Sequence, residues 1–101
     1  MIEDTIYINK LYDCYSALLT DVQREYFEDY YFQNLTCQEI GDNKGISRNA
    51  VNKQIKDVVS KLVSYEEKLN ILKKIEKLDM LSDSITDERI KEEIKRIIWE
   101  W

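Results

Sequence analysis

Histidine is absent from the sequence, and cysteine occurs only twice, at Cys14 and Cys37. Histidine is the commonest general base in enzymes, and the usual zinc sites need four closely spaced Cys, His or carboxylate ligands. The two cysteines do not form a close pair, so we expect both to be small, partly buried residues rather than metal ligands. The sequence also contains no phosphate-binding glycine loop. These absences predict that the protein is not an enzyme and that it uses no metal and no cofactor.

Proline is also missing, glycine occurs twice, and charged residues make up 35% of the 101 residues. This composition suits amphipathic helices better than strands and tight turns, and a hydrophobic content of 44% allows one packed domain. No apolar run approaches the ~20 residues that span a bilayer, and the acidic N-terminus does not resemble a secretory signal. The sequence therefore predicts an all-α protein in the cytoplasm, without membrane insertion.

The net charge of −5 is distributed unevenly along the chain. Residues 1–46 carry three basic and nine acidic side chains (−6), residues 47–77 carry eight and four (+4), and residues 78–101 carry four and seven (−3). An acidic protein is a poor general binder of nucleic acid, which is itself negatively charged. Any nucleic-acid contact is therefore expected in the basic middle segment.

The first helix is predicted from about Thr5 to Leu18, and the second from a capping box at Thr20 and Gln23 to about Gln33. The second helix contains the aromatic stretch of residues 26–32. Exposed aromatic side chains can stack on the bases of single-stranded nucleic acid. The helical spacing favours a place in the core instead.

A helix-turn-helix is predicted next. Thr36 and Glu39 form a second capping box, which opens a short helix that ends near Lys44. Gly45 suits the left-handed turn, Ile46 is expected to enter the core, and Ser47 can cap the following helix.

Three residues are expected to hold the two helices of this unit together. Ile40 and Val51 are its predicted apolar anchors, and Gly41 is small where the helices cross closely.

The following helix is predicted to run unbroken from Arg48 to about Leu81, a length of roughly 50 Å. Its apolar residues alternate in steps of four and three, as in a seam that packs along a partner helix. They are Val51, Ile55, Val58, Leu62, Tyr65, Leu69 and Leu72. The distal half of this seam must be covered either by the C-terminal helix or by a second chain.

The C-terminal helix is predicted to begin at a Thr86 cap, after a turn at residues 82–84. Its apolar residues are Ile90, Ile94, Ile97, Ile98 and Trp101. Tryptophan occurs at both 99 and 101, and at least one of the two is expected to pack on a neighbouring helix or another chain.

Five polar residues are predicted on the exposed side of the second helix of the helix-turn-helix, namely Arg48, Asn49, Asn52, Lys53 and Lys56. In DNA-binding helix-turn-helix proteins this side enters the major groove. Arginine and asparagine can form paired hydrogen bonds with guanine and adenine, and lysine suits phosphate. The alternative is that these residues are only the solvated side of a helix.

Residues 19–62 resemble the helix-turn-helix of sigma-factor region 4. Three segments resemble the YlxM family more closely, namely ALLTDVQREYFEDYY, LTCQEIGDNKGISRNAV and SYEEKLNILKKIEKL. That family consists of small bacterial helix-turn-helix proteins of the signal recognition particle operon. The resemblance covers roughly residues 5–80 and implies an all-helical, sigma-region-4-like fold with a role in the signal recognition particle pathway. Lys44 departs from the pattern, because such modules usually have a bulky apolar residue before the turn glycine.

Together these observations predict a helix-turn-helix core at residues 1–62. Residues 63–101 would extend the long helix, add the C-terminal helix and form a region for dimerisation, within one structural domain. The predicted function is a regulatory protein that binds duplex DNA as a homodimer and is linked to the signal recognition particle. The alternative is an accessory that contacts components of the signal recognition particle without binding DNA.

Overall fold

The computed structural model describes residues 4–100, and this part of the chain contains helices and no strand. Six α-helices follow one another, and a short 3₁₀ turn at Ser16–Leu18 separates the first two. They are α1 (Thr5–Tyr15), α2 (Asp21–Tyr31), α3 (Cys37–Lys44), α4 (Arg48–Leu69), α5 (Ile71–Ser82) and α6 (Glu88–Trp99). None of the helices within residues 4–100 combines the length and the apolar character needed to cross a membrane. The predicted all-α fold is confirmed.

Both predicted capping boxes are present. The Thr20 hydroxyl accepts the Gln23 N–H at 3.1 Å, and the Gln23 side chain accepts the Thr20 N–H at 2.9 Å. Thr36 and Glu39 form the same pair of hydrogen bonds at the start of α3, both at 3.0 Å. Each box satisfies two backbone donors that the first helical turn leaves unpaired, so these side chains define where the helices begin.

The α-helical part of the first helix is shorter than predicted. It ends at Tyr15, the chain continues as a 3₁₀ turn, and Leu18 is 54% exposed rather than part of the apolar face. The Arg24 guanidinium donates to the carbonyl groups of Ser16 and Leu19 at 3.0 and 2.7 Å. These contacts satisfy acceptors at the helix end and hold α2 against it.

The larger core cluster joins α1, α2, α4 and α5. Tyr12 and Phe27 stack at its centre, with ring centroids 4.1 Å apart and planes within 1° of parallel. The buried members are Ile8, Leu11, Tyr12, Tyr15, Leu19, Phe27, Val58, Leu62 and Leu72.

The aromatic stretch of α2 belongs to the core only in part. Tyr26 and Phe27 are buried, as predicted, whereas Tyr30 and Phe32 are 37% and 46% exposed. The Phe32 ring still meets the Tyr12 ring edge-on at 5.5 Å.

A second, smaller cluster lies inside the helix-turn-helix. Ile40 and Val51 are fully buried there and pack with Tyr26 and Ile55, which confirms the two predicted anchors. The prediction that Ile46 enters this core is wrong, because its side chain is 38% exposed. The turn brings the backbone of Ile46, rather than its side chain, against α3.

The turn itself follows the predicted chemistry. Gly45 has φ = 72° and ends α3, and the N–H groups of Gly45 and Ile46 both donate to the carbonyl of Gly41. A Cβ atom on Gly41 would lie 2.6 Å from the carbonyl oxygen of Ile46, which is closer than real Cβ contacts allow. Glycine is therefore required at 41 for close approach and at 45 for the left-handed conformation.

The predicted unbroken helix from Arg48 to Leu81 is wrong. The chain breaks at Asn70, which has φ = 54°, so the 22-residue α4 ends at Leu69 and α5 begins at Ile71. Asparagine tolerates the left-handed region better than most residues, and one such residue redirects the chain without disturbing the apolar pattern on either side. Leu72 is buried, but from α5, and Leu69 is 47% exposed.

A buried carboxylate stabilises this break. Glu66 is 9% exposed, and its two oxygens accept the N–H groups of Leu72 and Lys73, each at 3.1 Å. The Tyr15 hydroxyl donates to Glu66 at 2.5 Å and accepts the N–H of Ile71 at 3.1 Å. Asn70 makes no side-chain capping hydrogen bond, so Glu66 and Tyr15 together cap α5. Burial, followed by the bond to Glu66, raises the pKa of Tyr15 to about 12, so the hydroxyl keeps its proton at neutral pH.

Helix α6 folds back antiparallel on α5. Asp87 rather than the predicted Thr86 caps it, because the Asp87 carboxylate accepts the N–H groups of Arg89 and Ile90. Lys95 forms ion pairs with Asp79 at 3.0 Å and Asp83 at 2.9 Å.

Of the two tryptophans, Trp99 packs on a neighbouring helix as expected. Its indole N–H donates to Asp79 of α5 at 3.0 Å. Trp101 lies outside the described residues.

We expect Glu66→Ala to lower the free energy of unfolding by about 3 kcal/mol, because buried donors lose a charged acceptor. Glu66→Gln, which retains one acceptor oxygen, should lose less. The exposed neighbour Glu67 provides the control, and Glu67→Ala should change stability by no more than about 0.5 kcal/mol. Urea denaturation measures all three variants. Equal losses for the alanine variants at 66 and 67 would contradict the capping role.

We expect Gly41→Ala to destabilise the protein by about 1–3 kcal/mol, because the added methyl group meets backbone that cannot move aside cheaply. Gly45→Asn should cost less than about 1 kcal/mol, since asparagine tolerates positive φ and no atom lies within 4 Å of the added Cβ. Thermal denaturation followed by circular dichroism compares the two. If the Gly41→Ala variant were as stable as wild type, the close approach between α3 and the backbone of Ile46 would not require glycine.

Candidate nucleic-acid interface

The helix-turn-helix formed by α3, Gly45 and α4 presents all five predicted contact residues to solvent. Their side chains are exposed along the first turns of α4, namely Arg48, Asn49, Asn52, Lys53 and Lys56. Val51 and Ile55 lie between them in sequence but are buried on the other side of the helix. At about 100° per residue, the five exposed positions fall within roughly 140° of one another around the helix axis. The structure therefore brings the five together on one face.

The backbone at the start of α4 is held in place by a predicted cap. The Ser47 hydroxyl accepts the N–H of Ala50 at 3.1 Å. Because Val51 is buried directly beyond this cap, the first turn of α4 is anchored rather than frayed. The residues that would meet base edges are therefore carried on a fixed segment.

One of the five residues takes part in an ion pair. The Lys53 ammonium lies 3.1 Å from a carboxylate oxygen of Asp57, one turn further along α4. The Lys53 and Asp57 side chains are 76% and 56% exposed, and exposed pairs of this kind contribute little and are screened by salt. Lys53 can therefore exchange this carboxylate for a phosphate at small cost.

The flanking helix α3 has the opposite electrostatic character. Glu39 and Asp42 are exposed on this helix, and its basic residue, Lys44, is already paired with a carboxylate. Lys44 pairs with Glu25, and its ammonium lies 5.0 Å from the centre of the Tyr26 ring. The hydrogen bond to Glu25 raises the pKa of Lys44. The lysine therefore packs by its stem and places its cation near an aromatic ring.

Two features of this surface were missed by the sequence analysis. Gln38, in the first turn of α3, is exposed and donates to Asp42 at 2.9 Å. In the sequence, only the position of Gln38 two residues after the Thr36 cap indicated that its side chain lies at the start of this helix. Asp57 also lies on the surface next to Lys53, and the one-turn spacing of an i,i+4 pair could have identified it.

The two cysteines, Cys14 and Cys37, are partly buried, as predicted. Burial raises the pKa of the Cys14 thiol to about 11. Within residues 4–100, no group of three or more Cys, Asp or Glu side chains is arranged to hold a metal ion.

The sequence has relatives along almost its full length. Residues 2–99 match the family described as "Putative helix-turn-helix protein, YlxM / p13 like". UPF0122 protein OB1530 of Oceanobacillus iheyensis is 39% identical over 101 residues, which cover 96% of each chain. UPF0122 protein BH2485 of Halalkalibacterium halodurans is 35% identical over 102 residues, covering 97% of this chain and 94% of the relative. A Bacillus cereus relative is 36% identical over 103 residues.

These matches agree with the fold. The description of the family names a helix-turn-helix, which is the unit that α3, Gly45 and α4 form, and it names no enzymatic activity. The match extends past the helix-turn-helix through α5 and α6. The chain therefore belongs to the family of YlxM/p13-like helix-turn-helix proteins.

Proposed function

We propose that this protein is a helix-turn-helix regulator that binds duplex DNA through the N-terminal half of α4. The observation that carries the proposal is the single exposed face formed by five side chains, none of which the helix-turn-helix core uses. They are Arg48, Asn49, Asn52, Lys53 and Lys56. A helix about 10 Å wide with such a face fits the major groove.

The side chains divide by chemistry. Arg48, Asn49 and Asn52 carry the planar donors and acceptors that can pair with base edges. Lys53 and Lys56 lie further along the helix and carry flexible ammonium groups, which suit the phosphate backbone. The first three residues would therefore give sequence preference, and the two lysines would position the helix on the duplex.

The number of cations on this face limits the expected affinity. With the two lysines contacting phosphates, the slope of log K against log salt concentration would be about −1.8. Glu39 and Asp42 on α3 further oppose a close approach of the DNA backbone. Binding is therefore expected to be moderate and strongest at low salt.

A second candidate follows from the same electrostatics. The same helix-turn-helix carries three exposed carboxylates, on Glu39, Asp42 and Asp57, and the chain as a whole carries a net charge of −5. A surface of mixed charge suits a protein partner as well as a nucleic acid. In this case the protein would be an accessory that contacts components of the signal recognition particle, and the helix-turn-helix would serve as a scaffold.

We expect Lys53→Ala to weaken binding to all duplexes alike and to make the salt slope shallower by about 0.9, because one phosphate contact is lost. Lys61→Ala is the matched control. Lys61 is an exposed lysine of the same helix, but it lies outside the 140° face, and its removal changes the net charge equally. Electrophoretic mobility shifts at several salt concentrations measure both variants. Equal effects of the two substitutions would indicate a general charge effect and contradict the proposed face.

We expect Asn49→Ala and Asn52→Ala to relax the preference for particular base pairs while leaving the salt slope unchanged. Selection of bound sequences from a random duplex pool measures this preference. If wild-type protein shifts no duplex even at ~50 mM salt, where phosphate contacts are strongest, the DNA proposal fails. Nuclease-resistant capture of the signal recognition particle GTPase from lysate would then support the second candidate.

A further inference from the structure

Helix α6 is the least buried α-helix of the fold. None of its residues is buried, and its principal neighbour is α5. Lys95 and Trp99 both bind Asp79 of α5, and the less exposed residues of α6, Lys91, Ile94, Lys95 and Ile98, lie along one side of the helix. The edge of the helix, rather than the centre of its apolar face, therefore rests on α5.

This placement leaves an apolar seam facing outward. Ile90, Ile94 and Ile97 follow one another in steps of four and three, which is the spacing that lets two helices pack along their length. Ile90 is 45% exposed and Ile97 is 70% exposed, whereas Ile94 is half-buried. A helix with such a seam needs a second apolar surface, and α5 supplies only part of one.

The dimensions of the molecule point in the same direction. The radius of gyration is 16.7 Å, whereas a compact domain of this length has about 13 Å. The accessible surface is 7152 Å², roughly 1,000 Å² more than the approximately 6,100 Å² expected for a monomer of 12.2 kDa. A stable protein–protein interface covers about 800 Å² on each partner. The excess surface is thus close to what one such interface would cover.

The charge of this region favours self-association. The α5–α6 hairpin, residues 71–99, contains seven basic and seven acidic side chains and is therefore neutral. All of the net charge of −5 lies elsewhere in the chain. Two copies that meet through this hairpin bring no net charge together, whereas contact through the acidic N-terminal part would be repulsive.

We propose that the α6 seam is the interface with a second copy of this chain, in which Ile90, Ile94 and Ile97 of two α6 helices pack against each other about a two-fold axis. A two-fold axis makes one self-complementary seam sufficient for a closed dimer. A shallow groove at the end of α5, lined by Lys77, Met80, Leu81 and Ser84, exposes further apolar side chains on the same hairpin. The proposal concerns assembly and is independent of DNA binding.

Sedimentation of the full chain between about 1 and 100 µM tests the proposal, because a two-fold dimer should form in this range. Wild type should approach 24.4 kDa, twice the chain mass of 12.2 kDa. Ile97→Glu should remain near 12.2 kDa, since a charge would be buried at the seam of both copies. Val22→Glu is the matched control, because Val22 is a 60% exposed aliphatic residue of α2 that lies away from the hairpin, and this variant should dimerise like wild type.

Circular dichroism shows whether each variant is folded. If Ile97→Glu does not fold, Ile90→Lys serves as the second seam variant. The proposal is supported if a folded seam variant is monomeric while the Val22→Glu control remains a dimer. Wild type that stays monomeric at the highest concentration overturns it, and so does a dimer that both seam variants leave intact. No DNA is present in this experiment, so its outcome leaves the proposed DNA contact untouched.

Discussion

The carboxylate of Glu66 accepts hydrogen bonds from the Tyr15 hydroxyl and from two backbone N–H groups that begin α5. A charged group that is 9% exposed is costly unless its lone pairs are satisfied, and here α1 and α5 satisfy them together. This one side chain therefore determines where α4 ends, how α5 leaves it and how α1 lies across both. The direction of the α5–α6 hairpin follows from it.

The helix-turn-helix depends on a different constraint, the close approach of backbone to backbone at Gly41. Because no side chain separates α3 from the turn, the carbonyl oxygen of Ile46 comes within 2.6 Å of the place that a Cβ atom on Gly41 would take. The buried pair Ile40 and Val51 then fixes the rotation of α4 about its axis. That rotation directs the basic and amide side chains of the first turns toward solvent, so the proposed DNA-binding face is a consequence of packing on the opposite side.

The two proposals concern different helices and depend on different interactions. The α4 face relies on charge and hydrogen bonding, which weaken with salt. The α6 seam relies on apolar burial, and the neutral hairpin makes that contact insensitive to the acidity of the rest of the chain. In a dimer through α6, the two helix-turn-helix units would be related by a two-fold axis, the arrangement that helix-turn-helix proteins use on paired half-sites.

Local chemistry in the sequence determined the helix starts at Thr20, Thr36 and Ser47, the left-handed turn at Gly45 and the exposed face of α4, because capping and helical periodicity act over a few residues. Tertiary structure decided the rest. The break at Asn70 was hidden from the sequence because the apolar pattern continues across it and because its cap comes from Glu66 and from Tyr15, which is 56 residues away from Ile71. The exposure of Ile46 likewise depends on which atoms of the turn meet α3, a contact that hydrophobicity alone does not specify.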